Sequence, residues 1–253
     1  MAAVTSADLS TRLTAMRAST SAMIADFNGQ RWADTDMAAL IALPNWTRGH
    51  VLTHIARNAD SIARALSGAL RGEIIKRYPN GPDGRAADIE AGAGRPVLEQ
   101  LGDVRESADR LDRLFAAVAD ADAWEATADS RPSRSWIRAR WQEVEVHRVD
   151  ADSGYTVDQW PADFVALLLP RLADRLPDRA RGPLRLEVTA DGSLNPELVG
   201  REWVVPGEDP AQDPGEEPVD VRGPDWAVLA WLTGRTSTVG DAMTALPELA
   251  PWM

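Results

Sequence analysis

Residues 141–147, with the sequence WQEVEVH, place two metal-binding residue types four positions apart. Residues at that spacing share one face of a helix, so Glu143 and His147 can point toward one ion. A third candidate, His54, lies in a separate amphipathic segment and can approach from a neighbouring helix. Two imidazoles and one carboxylate leave one coordination position of a divalent metal open, which is typical of catalytic zinc sites. The stretch therefore predicts a helical core that carries a catalytic metal ion.

Two neighbouring residues, His50 and Glu145, are weaker candidates for metal ligands, and a simpler alternative to a metal site exists. A Glu and a His at helical spacing often form only a hydrogen-bonded pair, and that alternative stays open. His50 shares a face with His54 and could be a fourth ligand, but we interpret it as a packing or supporting residue one turn away. Glu145 points to a different side of its helix from Glu143 and His147, so we expect a solvated or ion-paired charge there.

The composition limits the partners and the chemistry. The 253 residues suffice for one large domain or two smaller ones, each with its own core. The net charge of -12 disfavours nucleic acid and anionic membranes as partners. The chain has no cysteine, so any thiol chemistry needs a thiol from outside. The sequence shows no signal peptide and no transmembrane segment, and we expect a cytoplasmic protein.

Helical periodicity dominates the first half of the chain. Four segments show apolar residues at helical spacing: residues 6–27, 47–66, 95–118 and 133–149. Ser6 and Thr47 are candidate N-caps. Four such helices predict a bundle, a fold in which metal ligands are commonly assembled between facing helices. Residues 77–96 are rich in glycine and proline and predict a long loop, in which Arg85 is a candidate substrate contact.

The pattern changes in the second half. A helix is predicted over residues 163–176, and a further helix starts near Asp225 and ends at Gly234. Three segments of alternating apolar residues predict strands: residues 184–189, 202–205 and 219–222. The acidic, proline-rich stretch at residues 207–218 has no assigned role.

The two patterns together predict an α+β protein with two domains. We expect a four-helix bundle at residues 1–155 and a small α+β domain at residues 160–253.

Several short motifs carry a resemblance to a known family. They are residues 46–58 (WTRGHVLTHIARN), Gly84-Arg85 with Glu90-Ala91-Gly92, the pair Glu143 and His147 with Val149-Asp150, Gly223-Pro224, Leu229 and residues 232–235 (LTGR). In these motifs the chain resembles the mycothiol-dependent maleylpyruvate isomerase family over nearly its whole length. The resemblance implies a DinB-like metal-binding four-helix bundle followed by a sterol-carrier-like domain.

The resemblance also implies a ligand set and an activity. The zinc ligands of the family fall on His54, Glu143 and His147, with water or substrate in the open position. The two arginines that hold carboxylates of the substrate or the thiol fall on Arg85 and Arg235, as catalytic and cofactor-binding residues. The implied activity is isomerisation of a cis-unsaturated diacid such as maleylpyruvate to fumarylpyruvate, with mycothiol as the thiol cofactor.

Two other functions stay open. A mycothiol S-transferase of the same fold would attach the thiol to another electrophile and consume it. A non-catalytic metal-binding module would hold a structural zinc ion, and a fourth ligand such as His50 would favour this alternative. For the isomerase and the transferase we expect a small anionic substrate and a low-molecular-weight thiol as partners, and we expect the protein to be a monomer or a weak homodimer.

Overall fold

Five α-helices build the first part of the computed structural model, which describes residues 5–206, 217–236, 239 and 246–252. They are α1 (Ser6–Gly29), α2 (Arg48–Leu70), α3 (Gly81–Ala93), α4 (Val97–Asp120) and α5 (Ser135–Asp150). Helices α1, α2, α4 and α5 confirm the four helices predicted from the apolar periodicity. All five belong to the first of the two compact units into which the chain divides, Met1–Tyr155.

The starts of the first two helices follow from local hydrogen bonds. The cap predicted for α1 is wrong by one residue, because Thr5 rather than Ser6 is the N-cap. The Thr5 hydroxyl accepts a hydrogen bond from the backbone N–H of Asp8 at 3.2 Å, and the Asp8 carboxylate accepts one from the Thr5 backbone at 2.9 Å. The cap predicted for α2 is confirmed, since Thr47 precedes the helix in an extended conformation.

The loop predicted over residues 77–96 is wrong in its central part, where the chain forms α3. Pro82 lies in the first turn, where a missing N–H removes no helical hydrogen bond. Gly81 has a positive φ of 70° at the start of the helix. Residues that predicted a turn therefore start a helix here. Arg85 lies on α3 and not in a loop.

Helix α2 runs through the core of the first unit. Its apolar side chains, such as Leu52 and Ile55, are completely buried. Helix α3 packs against α2 at a position where only a glycine fits, because a Cβ atom at Gly92 would lie 2.5 Å from Cγ2 of Thr53. This close contact fixes the position of α3, and with it Arg85, against α2.

A short antiparallel ribbon, which the sequence analysis did not predict, joins α4 to α5. It consists of β1 (Thr127–Ala128) and β2 (Arg131–Pro132). The indole N–H of Trp136 donates a hydrogen bond to the carbonyl of Ala128 at 3.1 Å, which ties the ribbon to the start of α5.

The second unit, Thr156–Met253, contains a small sheet and two α-helices within its described residues. The elements are α6 (Ala162–Ala173), β3 (Leu184–Val188), β4 (Glu202–Val205), β5 (Val219–Gly223) and α7 (Asp225–Leu232). The strand order is β4-β3-β5, with β3 antiparallel to β4 and parallel to β5. The three predicted strands are confirmed, and so is the α+β fold class.

Of the two helix ends predicted for the second unit, one differs from the prediction and one agrees with it. Helix α6 ends at Ala173, earlier than predicted, and a separate 3-10 turn follows at Leu176–Asp178. Gly234 confirms the predicted helix end, since it follows α7 with a φ of 73°. Residues 207–216 of the acidic stretch lie outside the described residues. None of the helices in the described part of the chain is long and apolar enough to span a membrane.

Candidate metal centre

Three side chains from two helices converge at one point of the first unit. Nε2 of His54 lies 2.8 Å from Oε2 of Glu143 and 3.1 Å from Nε2 of His147. Nε2 of His147 lies 3.4 Å from Oε2 of Glu143. Ligand atoms at about 2.0–2.1 Å from a tetrahedral zinc ion are about 3.3 Å apart, so these separations fit one ion. Within the described residues, no other group of His, Asp and Glu side chains brings three ligand atoms together in this way.

The structure thus brings together the three residues that the sequence analysis selected. Helix α2 carries His54, and α5 carries Glu143 and His147 one turn apart, on the same face. Only 3% and 5% of the two histidine side chains are exposed, whereas Glu143 is 17% exposed. A small molecule can therefore approach the cluster from the side of Glu143. The role of His54, Glu143 and His147 as metal ligands stays a prediction.

Trp46 forms one wall of the cluster. Its ring packs edge-on against His54, with ring centres 5.4 Å apart, and stacks on His147 with ring centres 6.4 Å apart. Trp46 precedes α2 by two residues, so the start of the helix places the indole beside both imidazoles. The contacts restrict the orientation of the two imidazole rings.

Asp150 orients His147. Its carboxylate Oδ2 lies 2.8 Å from Nδ1 of His147 and both side chains are nearly buried. Because a carboxylate accepts the hydrogen bond, Nδ1 carries a proton, so Nε2 is the ring nitrogen that is left to bind a metal ion. Asp150 was not among the site residues predicted from the sequence, although its position three residues after His147 on the same helix is the signal that identifies it.

The three side chains of the cluster are buried together and shift one another's pKa values. Burial would raise the pKa of Glu143, but hydrogen bonds from His147 and His54 hold it well below the ordinary value. Burial and the charge of His147 lower the pKa of His54 to about 4. Burial would also lower the pKa of His147, but its hydrogen bonds to Asp150 and Glu143 raise it above the ordinary value. An ionised carboxylate and a neutral His54 are the forms that bind a metal cation.

His50 lies outside this cluster and has its own partners. Nδ1 of His50 accepts a hydrogen bond from the backbone N–H of Thr47 at 3.1 Å, so its proton lies on Nε2. That Nε2 lies 3.0 Å from a carboxylate oxygen of Glu90 on α3. In the structure, His50 caps α2 and links it to α3.

Glu145 was expected to be solvated or ion-paired, and the expectation that it is solvated is wrong. Glu145 does point away from the cluster, but its side chain is completely buried. Its carboxylate accepts a hydrogen bond from the hydroxyl of Tyr155 at 2.7 Å. The opposite side of α5 packs against the chain that follows the helix, which spacing within the helix does not reveal.

Arg85 lies directly beside the cluster. Its Nη2 lies 3.2 Å from Nδ1 of His54, and its guanidinium carbon lies 5.8 Å from the ring centre of Tyr78. This contact supports the predicted position of Arg85 near the site, although Arg85 lies on helix α3 and not in the predicted loop. Arg235 belongs to the second unit, where Nη1 donates to the carbonyl of Thr233 and the guanidinium lies 5.8 Å from the ring centre of Trp252. Its role stays a prediction.

The first unit matches a known protein family. Residues 24–152, more than half of the chain, match the mycothiol maleylpyruvate isomerase N-terminal domain. The chain belongs to this family. The matched residues contain His54, Glu143, His147 and Arg85, so the cluster lies within the domain that defines the family.

Solved structures are similar to this chain over nearly its whole length, beyond the residues that match the family domain. A crystal structure of the mycothiol-dependent maleylpyruvate isomerase has a TM-score of 0.78 and 23% sequence identity, and the match covers 96% of this chain and 97% of that one. A variant of that isomerase with one histidine replaced by alanine matches equally well. No curated protein sequence matches the chain.

Proposed function

We propose that this protein is a zinc-dependent isomerase that uses mycothiol to convert a cis-unsaturated diacid such as maleylpyruvate to its trans isomer. The observation that carries the proposal is the buried cluster of His54, Glu143 and His147 with Arg85 at its edge, in a chain of this family. A fourth protein ligand, which structural zinc sites normally have, is not present among the described residues, since His50 is engaged elsewhere.

The donor set suits zinc. Two imidazole nitrogens and one carboxylate oxygen are a ligand set that zinc accepts, at separations that fit a tetrahedral ion. A zinc ion bound there would lower the pKa of a coordinated thiol, so that a thiolate is available near neutral pH. The chain lacks cysteine, so that thiol comes from a small molecule.

The reaction of the thiol with the substrate balances without any other reactant. The thiolate sulfur forms a bond to one alkene carbon, and the electron pair of the double bond moves into the conjugated carbonyl group as an enolate. The former double bond is then a single bond and rotates. The enolate re-forms the double bond and expels the thiolate, so the thiol is regenerated.

The residues of the chain have separate tasks in this reaction. Asp150 keeps the proton of His147 on Nδ1, which leaves Nε2 available as a ligand atom. If Nε2 of His54 serves as a ligand, its ring proton lies on Nδ1, and Arg85 can no longer donate a hydrogen bond to that atom. The guanidinium of Arg85 is then available for a carboxylate or the developing enolate, at the edge of the cluster.

Turnover of thiol tests the proposal. Zinc-loaded protein is incubated with maleylpyruvate and a small amount of mycothiol, and isomers and free thiol are followed by NMR. We expect many molecules of fumarylpyruvate per thiol and no loss of free thiol. Stoichiometric consumption of thiol into a stable adduct would instead assign an S-transferase. Metal binding without any thiol-dependent turnover of this or other electrophiles would leave only the non-catalytic module.

A further inference from the structure

A second arginine lies near the cluster, on the segment between α2 and α3. Arg77 is half-buried, and its guanidinium carbon lies 4.4 Å from the ring centre of Trp136 and 5.1 Å from that of Tyr78. It follows Lys76, the only lysine of the chain, which is exposed. The two rings pack against the guanidinium and restrict its movement, and an arginine that is restricted in this way can bind a planar anion.

Arg77 has a hydrogen-bond donor without an acceptor. Its Nε is buried and donates no hydrogen bond within the described part of the chain. The carboxylate of Asp129 lies 3.9 Å away, which is an ionic contact but is beyond hydrogen-bonding distance. A buried N–H of a charged group without an acceptor is costly, so a group that accepts this hydrogen bond would gain binding energy.

Arg77 and Arg85 share one aromatic ring. Tyr78 lies 5.1 Å from the guanidinium carbon of the first and 5.8 Å from that of the second, so the two carbons are no further apart than the sum of these distances. Arg85 in turn touches His54. Burial lowers the pKa of Arg77, and Tyr78, Asp129 and Glu143 act in the opposite direction.

We infer that Arg77 binds the carboxylate of the substrate that lies far from the double bond, while Arg85 binds the carboxylate beside it. The inference rests on the proposed function for the identity of the diacid. The two arginines would make that site selective for a dianion. Two guanidinium groups that flank the ring of Tyr78, one of them in contact with His54 and the other with a donor that lacks an acceptor, fit two carboxylates on one carbon chain.

Arg131 provides a matched control. Its guanidinium carbon lies 4.5 Å from the ring centre of Trp136, almost the same distance as that of Arg77. The side chain of Arg131 is exposed, however, so an anion bound there would remain in water. Exposed charges contribute little to binding, and we assign Arg131 no role in recognition.

The test compares two substrates that differ only in the distal group. Maleylacetone carries a methyl group where maleylpyruvate carries its distal carboxylate. Steady-state kinetics with mycothiol are measured for the parent and for Arg77→Gln and Arg131→Gln. In Arg77→Gln we expect KM for maleylpyruvate to rise roughly 10- to 150-fold, the loss typical of a charge-assisted hydrogen bond, and KM for maleylacetone to change much less. Arg131→Gln should change either value less than about fivefold.

A purely structural role of Arg77 gives a different result. If Arg77 only packs on Trp136 and Tyr78, the two substrates lose activity equally, which would overturn the inference. Should Arg77→Gln fail to fold by circular dichroism, Arg77→Lys keeps the charge and loses the planar fork, and the same selectivity is measured with that variant. An unchanged preference for maleylpyruvate in a folded Arg77→Lys would also overturn it.

Direct binding separates this inference from the proposed function. Calorimetric titration of the zinc-loaded protein with maleylpyruvate, without thiol, measures recognition in the absence of turnover. Binding that depends on Arg77 in a protein that does not isomerise the substrate would sustain the inference and refute the proposed function. Binding of equal strength to the parent and to Arg77→Gln would refute the inference, whatever the turnover.

Discussion

His54 is the residue on which the metal assignment depends most, because it alone comes from α2. We predict about one divalent metal per chain, most of it lost in His54→Ala together with activity, since two ligands hold zinc poorly. Metal content after gel filtration is measured by elemental analysis.

The control for this prediction is His50→Gln, one helical turn away. His50 caps α2 and contacts Glu90, so its replacement should leave metal content close to that of the parent. Full metal occupancy in His54→Ala would show that the cluster is not the metal site. Complete loss of metal in His50→Gln would point to a closed, structural site instead.

Asp150 offers a prediction that is independent of the ligands themselves. In Asp150→Asn, the amide can present its N–H₂ group to Nδ1 of His147, and the proton of the ring then moves toward the cluster. We expect zinc affinity to fall about 10- to 100-fold, as for other residues that support a ligand, with the fold retained. Competition with a chelator measures the affinity.

Asp152→Asn serves as the comparison, because Asp152 follows α5 closely but its side chain is 81% exposed and pairs with Arg48. It should bind zinc like the parent. Equal affinities of the parent and Asp150→Asn would mean that the orientation of His147 does not depend on Asp150.

Among the secondary-structure elements, α3 is one that the local sequence did not predict. Periodicity predicted α1, α2, α4 and α5 because each buries a regular apolar stripe, but α3 is short and has glycine and proline in its first turn. The ribbon of β1 and β2 has two residues in each strand, too few for an alternating pattern. Both elements are fixed by packing against the larger helices, which a single sequence does not show.

The residues of the candidate site also fall into two groups, those that were predicted from the sequence and those that were not. Glu143 and His147 were predicted from spacing on one helix, and His54 was added from its place in a second amphipathic segment and from the family resemblance. Arg77 was missed because its position depends on how the chain returns from α2 toward Trp136. Glu145 was misread because Tyr155, which covers it, follows only after the helix has ended.

The contact between α2 and α3 gives a prediction at the scale of elements. Gly92→Ala would place a Cβ atom 2.5 Å from Thr53, so α3 must shift or unfold locally. We expect the melting temperature to fall and KM to rise, because Arg85 moves with the helix. Overpacking of this kind costs typically about 1–3 kcal/mol. Differential scanning calorimetry and steady-state kinetics measure the two effects.

Gly102 on α4 is the matched position, because a Cβ atom there meets nothing within 4 Å. Gly102→Ala should raise stability by up to about 1 kcal/mol through helix propensity and leave KM unchanged. A Gly92→Ala protein as stable and as active as the parent would contradict the close packing of α3.

At the scale of the whole molecule, the charge distribution contrasts with the net charge. The chain carries -12 overall, yet Arg77 and Arg85 flank the ring of Tyr78, and Arg85 contacts His54 of the cluster. A local positive region in an acidic protein draws anions toward that place and repels them elsewhere. Binding of a dianionic substrate should therefore weaken as salt is added.

Arg235 is the prediction that involves the second unit. The family resemblance assigns it to a carboxylate of the substrate or the thiol, and Arg235→Ala should then lower kcat/KM roughly 10- to 150-fold, the loss of one charge-assisted hydrogen bond. Zinc content and the circular dichroism spectrum should not change. Parental kcat/KM for both mycothiol and maleylpyruvate would contradict a role of Arg235 in binding either molecule.

Lys76 has a practical consequence. As the only lysine, and an exposed one, it is the single side-chain amine that an amine-reactive dye can modify in this protein, apart from the chain's own amino terminus. A fluorophore attached there would adjoin Arg77 without any engineered residue. Substrate docking at the neighbouring guanidinium would then change the emission of a label on the unaltered sequence, which gives an optical signal for occupancy that is separate from catalysis.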